Sequence, residues 1–242
     1  MMVMPRFFVE ELTETTVIYG ADAGHISRSL RMKAGEGVVL CDGRGNEAQG
    51  VIVSLSSDAV TVRLGEVSPS QSEPSCEVAL FIALPKGDKL DFIVQKAVEL
   101  GASSIHLVIT SRCISRPKGD VQGKLNRLNK IVFEAAGQCG RGKVPLVKGM
   151  LSFDEALYQM QQFDNAFTLY EGECPSLRSS LPKSCRSLAL FTGCEGGFSS
   201  EEVLKIKEHG ILLSSLGKRI LRCETAPLAA LSAVMFALGE MD

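Results

Sequence analysis

The feature that most constrains this chain is a change of pattern near residue 70. Before it, short apolar stretches are separated by turn residues, and only His25–Arg31 reads as a helix. Beyond it, strand-like and helix-like segments alternate toward the C-terminus. The first pattern predicts a compact β-barrel with strands at Thr16–Tyr19, Gly37–Cys41, Gly50–Leu55 and Ala59–Leu64. Between two of them, Cys41-Asp-Gly-Arg-Gly-Asn46 is a tight-turn signal, because Asp and Gly accept the backbone angles a turn demands. The second pattern predicts an α/β domain with a largely parallel sheet, since an intervening helix returns the chain to run in the same direction. Its strands are expected at Val78–Leu84, Ile105–Ile109, Ala166–Leu169, Ser187–Phe191 and Ile211–Leu213. Its helices are expected at Lys89–Leu100, Lys124–Gly137, Asp154–Gln162, Ser199–Glu208 and Thr225–Leu238, with Ser199 and Glu202 at capping-box spacing. Between Val67 and Cys76 the chain reads VSPSQSEPSC, poor in large apolar side chains, and this is the expected linker. The domains are therefore placed at 1–70 and 76–242.

Composition narrows the function classes. Hydrophobic residues at 45% and charged residues at 22% describe an ordinary globular protein rather than a disordered or fibrous one. No apolar run approaches the roughly 18–20 residues needed to span a bilayer. The start, MMVMPRFFVE, has no basic n-region, apolar h-region or cleavage site, so a cytoplasmic location is expected. Eight cysteines without a C-x-x-C pair read as reduced thiols, neither a disulfide framework nor a zinc site. His25, His106 and His209 lack metal-ligand spacing, and His106, in an apolar strand, reads as packed. No metal is expected.

The net charge of −2 is unevenly spread. Lys86–Lys148 holds 12 Lys/Arg against 5 Asp/Glu, whereas the first 72 residues hold 6 against 9. A basic segment in a near-neutral chain fits either contact with a polyanion or a set of solvated helix faces.

Three loops in the second half carry small residues directly after a strand or before a helix. They are Leu169-Tyr-Glu-Gly172, Thr192-Gly-Cys-Glu-Gly-Gly-Phe198 and Leu216–Ala226. Open α/β sheets bind ligands just outside the carboxyl ends of their strands, where such loops sit. Neither a phosphate loop nor a dinucleotide fingerprint is present, so a basic phosphate cradle is not the chemistry on offer. Backbone-rich loops suit a ligand with an adenine and a sulfonium but no phosphates. The alternative is that Gly196-Gly197 merely turns the chain into the Ser199 helix.

Five segments, in order, carry a resemblance that covers nearly the whole chain. They are Met4-Pro-Arg-Phe-Phe-Val9; Ala83-Leu-Pro-Lys-Gly-Asp88 with Gln95-Lys-Ala-Val-Glu-Leu-Gly101; Glu134-Ala-Ala-Gly-Gln-Cys-Gly-Arg141; Thr192–Phe198; and Leu216–Ala226. Together they resemble the RsmE family, bacterial 16S ribosomal RNA uridine-N3 methyltransferases of the SPOUT superfamily. The resemblance implies an N-terminal PUA-like β-barrel for RNA and a C-terminal SPOUT α/β domain with a deep trefoil knot. It implies a homodimer acting on 16S ribosomal RNA. The near-neutral net charge leans toward the assembled 30S subunit as substrate, where shape helps as well as charge. It also implies S-adenosyl-L-methionine held by Leu169, Tyr170, Glu171, Thr192, Gly193, Gly196, Gly197, Leu216, Gly217, Ile220, Leu221, Arg222 and Thr225. Two departures stand out: Cys194 where the family usually has proline, and Gly137 where it usually has glutamate.

Methylating uracil N3 spreads negative charge over an imide, which a fixed arginine stabilises. Arg222 and Arg141 are the candidates, with a salt bridge or a phosphate contact as the alternative for each. Glu224 is a candidate proton acceptor, with capping or pairing near the last helix as the alternative. Arg6, Lys86, Lys89 and Arg112 are candidate RNA contacts, anchoring phosphates rather than reading bases, and Arg116 and Lys118 extend that path. Two other functions stay open: a SPOUT enzyme of another specificity, such as transfer RNA ribose methylation, and a non-enzymatic RNA-binding assembly protein. The MPRFF start argues against the first, and the intact loop glycines argue against the second.

Overall fold

In a computed structural model that describes residues 4–114 and 119–241, the front strands form where the apolar stretches lie. They are β1 (Arg6–Phe8), β2 (Thr15–Tyr19), β3 (Gly37–Cys41), β4 (Asn46–Leu55), β5 (Ala59–Leu64) and the short β6 (Ser68–Pro69). The main path runs β1-β3-β4-β5-β2, and β6 pairs with β4. The β-barrel expected from the spacing takes the form of a curled half-barrel. Alternation along β4 turns Ala48 and Ile52 inward, onto Ile18, Val38, Leu40, Val60 and Val62. A bulge between Ile52 and Ser54 accentuates the local twist. The helix expected at His25–Arg31 begins earlier. Here α1 (Gly20–Gly24) leaves β2 directly and continues into a π-helical turn, His25–Ser29, that buries Ile26.

The described residues group into two units. Unit 1 ends at Glu73 and takes in Ala136–Val144; unit 2 begins at Pro74 and holds the remainder.

In unit 2, strand and helix alternate as the pattern requires. The strands are β7 (Glu77–Ala83), β8 (Ser104–Ile109), β9 (Leu146–Ser152), β10 (Asn165–Leu169), β11 (Ser187–Thr192) and β12 (Leu212–Ser214). The helices are α2 (Lys89–Glu99), α3 (Val121–Cys139, whose last turn from Ala136 falls in unit 1), α4 (Phe153–Met160), α5 (Leu177–Ser180), α6 (Ser200–Glu208) and α7 (Ala226–Ala237). All the ladders are parallel, in the order β12-β10-β11-β7-β8-β9. The central strands β7 and β11 are buried almost end to end, which is why they read as continuous apolar runs. The chain steps outward from β7 to β9, then restarts at β10 on the far side of β7, with β11 later filling the gap. Such a reversal opens a crevice at the carboxyl ends of the strands.

Helix boundaries follow local chemistry. Ser152 and Ser199 each close a capping box, with Glu155 and Glu202 respectively. In α2, Leu90, Ile93, Val94, Ala97 and Val98 recur at helical spacing and form its buried stripe. Pro227 sits in the first turn of α7, where its missing N–H leaves no intrahelical bond unmade. Four elements were not expected from the pattern: the short strands β1 and β6, the latter inside the stretch read as a linker, and β9 and α5 in unit 2. Among the residues of β9 only Val147 is buried, and α5 is a single turn capped by Ser176. Neither offers enough apolar periodicity to be read.

Phe191, Phe81 and His106 face one another across three neighbouring strands, and His106 stacks on Phe81 with ring centroids 4.3 Å apart. Burial, helped by the Lys148 charge, pushes the imidazole down to about 4. The native state therefore keeps His106 neutral, while the unfolded chain binds a proton below about pH 6.5. Stability contributed by the neutral ring is complete above pH 6.5 and is lost as pH falls toward 4, by about 3 kcal/mol. Urea unfolding is expected to show this loss in the wild type and a shallower one in His106→Phe; parallel acid limbs in the two proteins would contradict it. Among the described residues, no helix is long and apolar enough to cross a membrane.

Candidate active site

A cavity of about 540 Å³ opens at the carboxyl ends of β10, β11 and β12. Its walls are the three small-residue loops. Leu169, Tyr170 and Glu171 come from the first, Thr192–Phe198 from the second, and Leu216–Cys223 with Ala226 from the third. Backbone bonds register the first and third loops: Tyr170 N–H donates to Ser214 O at 3.0 Å, and Leu177 N–H to Ser215 O at 2.8 Å. The second loop is a tight turn closed by Gly197 N–H to Cys194 O at 2.9 Å. Because that turn uses a carbonyl at position 194, cysteine serves it as well as the family's usual proline does.

The second loop needs its glycines for steric reasons. Gly197 has φ +61, a left-handed backbone that a residue with a Cβ rarely adopts. A Cβ on Gly193 would lie 3.0 Å from the Cα of Gly197. Arg112 reaches this loop from the end of β8 and donates to Gly196 O at 2.7 Å.

Charge at the site falls into two groups. Lys89 Nζ lies 2.9 Å from Glu195 Oε1 and 3.1 Å from Glu224 Oε2. Partial burial would raise the Glu195 carboxyl, but Lys89 and the backbone donors around it outweigh that and hold it at about 2. Glu224 also sits below the usual carboxylate range, through its own backbone N–H and then Lys89. Cys223 is pushed up to about 11, by burial first and then by the two carboxylates, so it stays a thiol. The second group is Lys218, Arg219 and Arg222. They are exposed on the cavity lining and make no side-chain hydrogen bond or ion pair among the described residues.

The candidate residues separate accordingly. Of the expected cofactor residues, all but Thr225 line the cavity. Arg222 lines it; Glu224 is engaged with Lys89. Arg141 belongs to unit 1, where its buried guanidinium donates to Glu73 Oε2 at 2.7 Å, and Glu73 also accepts from the Gly142 and Lys143 N–H groups at 3.0 Å each. Arg6 is likewise committed, to Glu47 at 2.6 Å and Cys41 at 2.9 Å. Lys86 is exposed, and its backbone N–H donates to Glu195. Arg116 and Lys118 lie outside the described residues. Gly137 is also in unit 1, and a Cβ there would meet Phe8 at an ordinary 3.6 Å. Sequence reasoning passed over Glu195, Lys218 and Arg219, although all three stand inside the glycine-bearing motifs.

The Arg141–Glu73 pair yields a separate expectation. Removing one member of a largely buried pair strands the other charge and costs about 3 kcal/mol. Arg141→Ala is expected to lose about that much in urea unfolding while keeping its cofactor affinity at a temperature where it is folded. Wild-type stability with lost turnover would instead place Arg141 in the chemistry.

Whether S-adenosylmethionine suits the cavity can be judged from the chain itself. The volume lies in the range of small-ligand sites, roughly 300–1,000 Å³. The walls offer backbone groups at glycines rather than a phosphate cradle. The Thr192 hydroxyl, on the lining and 1% exposed, has no hydrogen-bond partner among the described residues. Buried hydroxyls left without partners are costly unless a ligand or water meets them. The residues fit. Among the described residues, no group of three or more His, Cys, Asp or Glu is placed to hold a metal.

Comparison with known proteins places this architecture. A family model described as an RNA methyltransferase domain matches residues 71–235, and one described as an RNA methyltransferase PUA domain matches 18–65. Fold and site together define an RNA methyltransferase with a PUA-like front domain. Ribosomal RNA small subunit methyltransferase E of Bacillus subtilis (strain 168) is 37% identical over 248 residues, 96% of each chain. Its namesake in Synechocystis sp. is 33% identical over 230 residues, 93% of this chain and 74% of that one. A crystal structure of the Neisseria gonorrhoeae enzyme of that name, bound to S-adenosyl methionine, superposes with a TM-score of 0.85 at 30% identity, covering 97% of this chain and 98% of the other. The chain belongs to the ribosomal RNA small subunit methyltransferase E family.

Proposed function

We propose that this protein uses S-adenosylmethionine to methylate N3 of a uridine in 16S ribosomal RNA. The observation that carries the reading is the cavity itself: three backbone-rich loops at one end of a parallel sheet, with Lys218, Arg219 and Arg222 on its lining and without side-chain partners among the described residues. The loops hold the cofactor through Leu169, Tyr170, Glu171, Thr192, Gly193, Gly196, Gly197, Leu216, Gly217, Ile220 and Leu221. Thr225, at the start of α7, ties to the third loop through its backbone N–H, which donates to Arg222 O at 2.8 Å. When bound, S-adenosylmethionine supplies a methyl already activated on its sulfonium.

The work left to the protein is placement. N3 lies on the pairing edge of the base, so the uridine enters unpaired. Lys218 and Arg219 anchor its flanking phosphates, and Lys86 and Arg112 extend the basic path. Arg222 holds the negative charge that develops as the imide proton leaves for solvent. Glu224 is a pairing group, since a carboxyl held low by Lys89 is a poor proton acceptor. Between the two candidate arginines the arrangement favours Arg222.

The PUA-like front domain is the second RNA contact, acting near residues 1–70, with the catalytic domain over 76–242. The homodimer is supported by α7, which is apolar nearly all round and leaves Phe236 72% exposed; a single copy gives that side chain no cover. The trefoil knot and the cytoplasmic location belong to the same reading, and so does the 30S subunit as substrate.

The test is transfer of labelled methyl from S-adenosylmethionine to free 16S RNA and to 30S subunits lacking native methylation, followed by nucleoside analysis. Labelled 3-methyluridine is the expected product. Cofactor binding with a different methylated nucleoside would overturn the N3 assignment, and absence of cofactor binding would overturn the enzyme.

A further inference from the structure

An ammonium has three N–H donors and no acceptor. Lys89, the first residue of α2, has three acceptors around its Nζ: Glu195 Oε1 at 2.9 Å, Glu224 Oε2 at 3.1 Å and Cys223 Sγ at 3.4 Å. Its donors are thus all engaged, and none is left for an RNA phosphate. Lys89, Glu195 and Cys223 line the cavity, and the partners come from different stretches: Glu195 from the loop after β11, Cys223 and Glu224 from the one that enters α7. Both carboxylates also approach the same thiol, since Cys223 Sγ donates to Glu224 at 3.3 Å and is pushed up by Glu195 as well. Without a cation between them, two like charges would be left to repel.

We propose that Lys89 is a positioning residue for the cofactor, tying the second and third cavity loops together across Glu195 and Glu224. The inference rests on the reading of the cavity as a cofactor site. Lys89 is partly exposed, so its ion pairs add little to global stability. Their effect is on loop spacing. Lys86 N–H, at 3.1 Å from Glu195 Oε1, fixes the same carboxylate from the turn before α2, so the N-terminal end of that helix is the common anchor. Groups that orient the contacting groups from behind typically change affinity by about 10- to 100-fold.

The experiment is calorimetric titration of S-adenosylmethionine into the full chain and its variants, with melting of the ligand-free proteins alongside. Lys89→Met is expected to raise Kd about tenfold, with an unchanged ligand-free Tm and kcat nearly preserved at saturating cofactor. Lys89→Arg restores the wild-type Kd, because a guanidinium also donates to both carboxylates. Adding Glu195→Gln and Glu224→Gln to Lys89→Met recovers part of the loss by removing the repulsion. Unchanged Kd in Lys89→Met overturns the proposal. So does unchanged Kd with weaker RNA binding and a salt slope lower by about one, which returns Lys89 to phosphate contact. If Lys89→Met fails to fold, Lys89→Arg decides: wild-type Kd supports the tie, and a tenfold weaker one overturns it. A wild-type chain that takes up no S-adenosylmethionine overturns the cofactor reading and this inference with it; every other outcome bears on Lys89 alone.

Discussion

A Gly193→Val variant is expected to bind S-adenosylmethionine at least about a hundredfold more weakly than the wild type while remaining folded. Crowding there is against backbone, which cannot swing aside. A Cβ at 193 would lie 3.0 Å from Gly197 Cα, 3.3 Å from Gly197 C and 3.3 Å from Phe198 Cε2. Gly197 cannot retreat cheaply, since its N–H closes the turn onto Cys194 O and its backbone is already held at φ +61. The valine must therefore push the two limbs of the loop apart, and a misplacement of about 1 Å is worth around a hundredfold where geometry is the main contribution. The sheet beneath does not depend on this turn, so circular dichroism and ligand-free Tm are expected to hold near wild type. Gly149→Ala, in β9 and off the cavity lining, is the control: nothing lies within 4 Å of the added carbon and its backbone is not left-handed, so affinity is expected to stay at wild type. Calorimetry showing wild-type affinity for Gly193→Val would remove this loop from the cofactor site.

What could be read from the sequence was whatever repeats over short distances. The apolar runs of β7 and β11, the helical stripe of α2 and the Ser199 capping box are local patterns, and each appears where the pattern put it. So do the glycine-bearing loops, because a loop that follows a buried parallel strand has one place to go. The edge strand β9 and the single turn α5 carry too few buried residues to leave a period. Side-chain partners were the least legible. Lys89 meets Glu195 across 106 residues, and Arg141 meets Glu73 across 68. No local pattern reports such pairings. Lys89 and Arg6 were therefore expected at RNA phosphates and Arg141 at the reacting imide or in a salt bridge, and the geometry gives each a carboxylate, which for Arg141 is the salt-bridge alternative. Among the described residues, the cations on the cavity lining that have no side-chain partner are Lys218, Arg219 and Arg222, and they lie in one motif that the resemblance had marked.

Arg222 carries the other large expected effect. Arg222→Ala is predicted to lower kcat by about 100- to 1,000-fold, the range found when a single donor to a developing oxyanion is removed. Cofactor Kd is expected to stay within about threefold, because the cavity wall meets its ligand chiefly through backbone groups that the substitution leaves in place. Stability should hold as well, since the exposed guanidinium makes no side-chain bond among the described residues and its loss strands no partner. That combination separates Arg222 from Arg141, whose removal should unfold rather than inactivate. Arg222→Lys sharpens the argument: a point charge without the planar fork restores part of the rate if charge is what matters, and almost none if two fixed donors are required. Single-turnover kinetics with saturating cofactor and RNA isolate the step. A loss confined to cofactor affinity would move Arg222 from the reacting imide to the cofactor wall, and an unchanged rate would leave charge stabilisation to Lys218 or Arg219, the two other unpaired cations on that lining.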